Sequence, residues 1–73
     1  MNFTTIFEFL KTGNKIRRKG WKGYWILENS EVIMYCAQTP GSNELTRINI
    51  KDTNDIMFTL SNIAAEDWEL ALE

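Results

Sequence analysis

From Lys15 to Ile50 the chain is cut into short runs of strand-forming residues, each closed by a cluster of turn formers. That rhythm specifies a sheet of short strands and leaves no space for a long central helix. Lys15 to Lys19 is the first run, with Ile16 and Arg18 on one side and Arg17 on the other. Gly20-Trp21-Lys22-Gly23 connects it to Tyr24–Glu28, and Asn29-Ser30-Glu31 turns the chain into Val32–Ala37. The segment 38–43 reads as the longest loop, bent at Pro40-Gly41. Next, Leu45, Arg47 and Asn49 alternate with Thr46, Ile48 and Ile50. Lys51-Asp52-Thr53-Asn54 is a further turn, and the sequence predicts another short strand over Asp55 to Leu60.

Helical spacing flanks this region. Phe3, Ile6, Phe7 and Leu10 recur at i, i+3, i+4 and i+7, with Asn2 or Thr4 as cap and Gly13-Asn14 as the stop. Near the other end Ser61 is expected to cap one helical turn through Asn62–Ala65. Trp68, Leu70 and Leu72 then alternate with Glu69 and Ala71 as a closing strand. The expected fold is α+β: an N-terminal helix packed on a small, mostly antiparallel β-sheet, with a short C-terminal helical turn and closing strand. Residues 1–73 are read as one compact domain. At 73 residues and 44% hydrophobic content, a lone core is barely sufficient, so a shared interface is expected to supply the missing burial.

Charge is unevenly placed. The net charge of −2 argues against bulk binding to duplex DNA or anionic membrane. Yet Lys15 to Trp25 holds five of the eight basic residues and three of the nine aromatics. No acid falls between Glu8 and Glu28, whereas six of the ten acids lie from Asp52 onward. Cations supply donors for phosphate, and flat rings supply stacking surfaces for bases. The chain has one cysteine and no histidine, which excludes an internal disulfide, a Cys/His zinc site and Ser-His or Cys-His catalysis. Cys36 sits in an apolar run and is expected to be a buried small hydrophobe. Without a signal-like or membrane-length apolar segment, the sequence reads as soluble and intracellular.

Three motifs in order carry a resemblance that spans nearly the whole chain. They are Leu10-Lys11-Thr12-Gly13 at the helix end, Arg18-Lys19-Gly20-Trp21-Lys22-Gly23 after the basic strand, and Asn62-Ile63-Ala64-Ala65-Glu66-Asp67-Trp68 near the C-terminus. Together they resemble the phage Thoeris anti-defence sponges of the second type. This chain departs from that pattern in having Lys22 where Asn is common and Asn62 where Asp is common. Met57-Phe58-Thr59-Leu60 replaces a Trp/Pro-rich approach, and the middle loop is short. The resemblance implies a protein of the infected bacterial cytoplasm that binds a cyclic nucleotide immune signal, of the glycocyclic ADP-ribose type or a cyclic dinucleotide, without cleaving it. It also implies a homotetramer built from dimers, with pockets between protomers.

Such a ligand presents a diphosphate, a purine face and ribose hydroxyls. Arg18 is the first choice for the phosphates, with Lys19 and Lys22 adding charge. Trp21 or Trp25 would stack the purine, and Tyr24 offers a further ring and a hydroxyl. Tyr24 and Trp25 point to opposite sides of a strand, so one of them belongs to core or interface. Asp67 either accepts ribose hydroxyls beside a Trp68 wall or fixes its own turn while Trp68 anchors the core, the second being favoured for Trp68. Arg47 and Asn49 share a face that a second protomer's pocket would use. No cofactor and no metal is expected, and lone carboxylates do not suggest hydrolysis. Two other readings of the residues stand beside this one: a single-stranded nucleic-acid module using the same basic aromatic stretch, and an oligomerisation protein without a ligand. Replacing Arg18 by Ala is expected to weaken binding more than it lowers the melting temperature.

Overall fold

The computed structural model describes residues 1–37 and 44–72. Its elements are helix α1 (Phe3–Lys11), strands β1 (Ile16–Arg18), β2 (Tyr24–Glu28), β3 (Glu31–Ala37) and β4 (Leu45–Asn49), helix α2 (Ile56–Ile63) and strand β5 (Trp68–Leu70). The strands form one sheet in the order β4-β3-β2-β1-β5, and every neighbouring pair is antiparallel. This is the expected α+β architecture. The loop expected over 38–43 lies outside the described residues.

Helix α1 begins where the sequence places it. The Asn2 side chain accepts from the Thr5 N–H at 2.9 Å, satisfying one of the donors a helix start leaves open. It ends on Gly13 at φ 94°, with Gly13 N–H donating to the Leu10 carbonyl at 3.0 Å and Asn14 N–H to that of Phe9 at 3.1 Å. These two bonds define a Schellman end, and its left-handed residue is cheap only for glycine. Ile6 and Leu10 are buried on the sheet side, each worth roughly 1.5–3 kcal/mol relative to exposure.

Registers fix which residues share a face. Ile16 opposes Trp25 and Leu70, Arg18 opposes Trp68, and Trp25 opposes Met34, which opposes Ile48. These residues line the face beneath α1, where Ile6, Leu10, Ile16, Trp25, Met34 and Trp68 make the core. The other face carries Tyr24, Ile26, Glu28, Tyr35, Arg47 and Asn49, as strand alternation requires. Ile33 lies at the base of that second face, fully buried. The β2–β3 turn needs only Asn29 and Ser30, both at positive φ (52° and 66°), the geometry a two-residue hairpin demands.

One element differs from expectation. The region read as a strand from Asp55 to Leu60 is the start of α2, and Ser61 caps nothing there. Asp55 is the cap instead, accepting from the Phe58 N–H at 2.9 Å. Ile56, Phe58 and Leu60 alternate with Met57 and Thr59 and so imitate a strand. A local cap and the i, i+4, i+7 spacing of Ile56, Leu60 and Ile63 decide for helix.

Candidate functional site

The expected site residues fall into two groups on opposite sides of the sheet. The first gathers the sequence motifs at one end of the core face. β1 ends at Arg18 and β5 begins at Trp68, and pairing of these strands brings residues 49 apart into contact. Arg18 Nε donates to Asp67 Oδ1 at 2.7 Å and its Nη2 to Oδ2 at 3.3 Å. Arg18 Nη1 donates to Asn62 Oδ1 at 2.9 Å. The buried Asn62 amide, 3% exposed, also donates from Nδ2 to the Phe58 carbonyl, while its backbone carbonyl accepts the Trp68 indole N–H at 2.7 Å. Three nitrogens of the Arg18 fork are thus committed inside the chain. The two hydrogen bonds from Nε and Nη2, ahead of simple charge attraction, hold the Asp67 carboxyl below its ordinary range.

This clasp revises the roles assigned from sequence. Arg18 holds Asp67 and Asn62 where the sequence reading gave it the phosphates. Asp67 fixes its turn through the Arg18 side chain, and also through its carbonyl, which accepts from Lys19 N–H at 2.9 Å. Asn62 stands in the last turn of α2, having been expected at a helix start.

Above the clasp runs the connection from Gly20 to Gly23. Gly23 is required there, because a Cβ would stand 1.9 Å from the Tyr35 carbonyl oxygen. Trp21 is half-buried, tilted against Trp25 (centroids 6.1 Å) and edge-on to Trp68 (5.4 Å). Trp25 is 1% exposed and completes the cluster with Trp68 at 5.0 Å and Phe3 at 6.2 Å. No ring face of Trp25 is open to a ligand, and its buried indole N–H has no hydrogen-bond acceptor among the described residues. Of the two candidate stacking tryptophans, Trp21 alone reaches the surface. Lys19 and Lys22 are exposed on either side of it. Every other cation of the described residues is engaged, whereas these two have no acidic partner among them.

The second group lies on the face opposite α1. Tyr24 stacks on Tyr35 (centroids 4.9 Å, 26° between planes), and the Lys15 ammonium sits 4.6 Å from the Tyr24 ring centre. Tyr35 donates its hydroxyl to Glu28 Oε2 at 2.8 Å, and Arg47 Nη2 reaches Glu28 Oε1 at 2.9 Å. The Tyr35 hydrogen bond, then that from Arg47, lowers the Glu28 pKa, and Glu28 in turn raises that of Tyr35. Asn49 and Lys51 both donate to Glu31, at 2.9 and 2.7 Å. Arg47 and Asn49 share a face, as expected, and Tyr24 lies on it too, but each of the two is bound to an acid of the neighbouring hairpin. Tyr35, Glu28 and Lys15 were not singled out from sequence, although the alternation of β3 sets Tyr35 beside Arg47. Cys36 is half-buried against the core, and burial pushes its thiol pKa up.

No group of three or more His, Cys, Asp or Glu side chains among the described residues could hold a metal ion, and no helix there is long and apolar enough to cross a membrane. No curated protein and no solved structure gives a significant match to this chain. A family model does: the Thoeris anti-defense 2-like domain matches residues 1–71, the span that holds the clasp, the Trp21 turn and the whole sheet, and the chain belongs to that anti-defence family.

Proposed function

We propose that this protein disarms its host's defence by sequestering a cyclic nucleotide immune signal of the glycocyclic ADP-ribose type, acting as a sponge and not as an enzyme. The observation that carries the reading is the pair of exposed lysines, Lys19 and Lys22, which have no acidic partner among the described residues and stand on either side of the half-buried Trp21. Elsewhere in the described residues the cations are engaged within the chain, on acids or, for Lys15, on the Tyr24 ring, so this turn is where an external anion gains most. Two ammonium groups suit a diphosphate, and the indole suits a purine, at roughly 1–3 kcal/mol per stacked base. The Arg18 clasp beneath holds the turn in place before the ligand arrives, which lowers the ordering cost of binding. Sequestration asks for charge, a stacking ring and enclosure. A chain of this size gains enclosure from a neighbouring copy, so the working form in the host cytoplasm is a homo-oligomer.

The test is a calorimetric titration with glycocyclic ADP-ribose, with cyclic dinucleotides and a single-stranded oligonucleotide as parallel arms. Saturable binding of a cyclic nucleotide, and recovery of that nucleotide at unchanged mass after heat denaturation, is the expected result. A cleaved product would make the protein an enzyme, and binding of the oligonucleotide alone would make it a nucleic-acid module.

A further inference from the structure

We propose that Tyr35, together with Tyr24, positions the turn that carries Trp21 and Lys22, acting on it from the opposite face of the sheet. The two ends of that turn are held differently. At the β1 end the backbone itself is bonded: Lys19 N–H donates to the Asp67 carbonyl at 2.9 Å, and Trp21 N–H to that of Arg18 at 3.1 Å. Among the described residues no backbone hydrogen bond of this kind holds Lys22 or Gly23. The β2 end rests on packing instead. Gly23 lies so close to the Tyr35 carbonyl that any side chain on it would collide there. The next residue, Tyr24, stacks its ring on that of Tyr35, with centroids 4.9 Å apart.

Tyr35 thus meets the end of the turn twice, with its backbone at Gly23 and with its ring at Tyr24. Its own place is fixed from further along the sheet. The hydroxyl donates to Glu28 Oε2 at 2.8 Å, and Arg47 Nη2 holds the same carboxylate at 2.9 Å. The Lys15 ammonium, 4.6 Å from the Tyr24 ring centre, adds a cation–π contact to the stack. Strand alternation turns both tyrosine rings away from the face on which Trp21 packs. Their effect on that face therefore passes through the backbone from Gly23 to Trp25. Trp25 follows Tyr24 directly and carries Trp21 against it at 6.1 Å, so the start of β2 sets both Lys22 and the ring that supports Trp21. The inference rests on the sponge reading for its consequence in binding, and the position of the turn can be read without any ligand.

The experiment compares the wild type with Tyr35→Leu, Tyr24→Leu and the conservative Tyr35→Phe, each checked for an unchanged circular dichroism spectrum. Iodide quenching of tryptophan emission reports on Trp21, because Trp25 and Trp68 are each only 1% exposed. Calorimetric titration with glycocyclic ADP-ribose reports on binding. Both leucine variants should rise at least about twofold in quenching constant, as a half-buried ring on a loosened turn reaches solvent. They should lose about tenfold in affinity, the cost of ordering the Trp21 and Lys22 side chains at the moment of binding. Tyr35→Phe keeps the stacked ring and should match the wild type in both. Tyr24→Leu tests the stack even where Tyr35→Leu does not fold. A purely structural role would lower the melting temperature and leave both readouts unchanged well below the transition. Wild-type quenching in a folded leucine variant, or an affinity within about twofold of the wild type, would overturn the proposal. A wild type that binds no cyclic nucleotide sinks the sponge reading alone, and the iodide measurement then decides whether the tyrosines position the turn.

Discussion

Removing the Arg18 side chain separates the structural account of this residue from the ligand-binding one. In Arg18→Ala the Asn62 Oδ1 loses the donor that reaches it at 2.9 Å, inside a residue only 3% exposed. A buried acceptor left unpaired costs about 1–3 kcal/mol. The ion pair with Asp67 adds little certain stability, because that carboxylate is substantially open to water and screened. Taking about 2 kcal/mol for the orphaned amide, and about 4–8 °C per kcal/mol for a domain of this size, the melting temperature should fall by roughly 8–16 °C. The assay is thermal unfolding followed by circular dichroism and tryptophan emission, at fixed protein concentration because association shifts the midpoint. Tryptophan emission is informative since Trp68 bonds the carbonyl of the same Asn62. Nucleotide binding, measured well below the transition, should change less than tenfold. A variant melting within about 2 °C of wild type while losing tenfold or more in affinity would refute the clasp, and restore Arg18 to the phosphate-binding role read from sequence.

The opposite phenotype is expected of the turn above: Lys19→Ser with Lys22→Ser should lower nucleotide affinity at least about tenfold by calorimetry and leave the melting temperature within about 2 °C, because neither lysine has an acidic partner among the described residues. Ser30→Gly should raise the melting temperature by a few degrees, since a non-glycine residue at φ 66° carries about 1 kcal/mol of strain that glycine relieves, part of it offset by the freer unfolded chain. Stability should also fall on acidification. Asp67, Glu28 and Glu31 have folded-state pKa values below their ordinary ones, held down first by hydrogen bonds from Arg18, Tyr35 and Lys51 respectively. Their contribution is therefore complete above the ordinary carboxylate pKa and lost as pH drops below about 4.5, which denaturant midpoints across pH 3–7 will show.

Much of the fold could be read locally because its signals are local. Asn2, Gly13 and the Asn29-Ser30 turn each act within a few residues: Asn2 caps, Gly13 takes the left-handed φ that ends the helix, and the turn closes at the position its polar residues mark. The failure at α2 has the same origin seen from the other side. Most of the apolar residues of that helix are exposed, so the pattern of Ile56, Met57, Phe58 and Leu60 was never shaped by one buried face. Periodicity reports burial, and a helix that buries little in its own chain carries a weak periodic signal. Asp55, which caps the helix, is the local cue to it, and the sequence reading takes it as the start of a strand because of the accidental alternation that follows.

The site was less legible than the fold, and the reason is electrostatic. A run of five cations within eleven residues says where positive charge is concentrated along the chain. It cannot say which charges are already spent, because the acids that spend them arrive from far away: Glu69 for Arg17 and Asp67 for Arg18. Once β5 is paired to β1, the guanidinium best suited to a phosphate is the one most firmly tied to the fold, and among the described residues Lys19 and Lys22, given a secondary part in the sequence reading, have no acidic partner. The tryptophans divide by the same logic, with Trp25 on the inward side of β2 and Trp21 half-buried in the turn. An anion-binding stretch is therefore better sought as the basic segment minus the partners that folding brings to it. In this chain that subtraction leaves Lys19, Trp21 and Lys22.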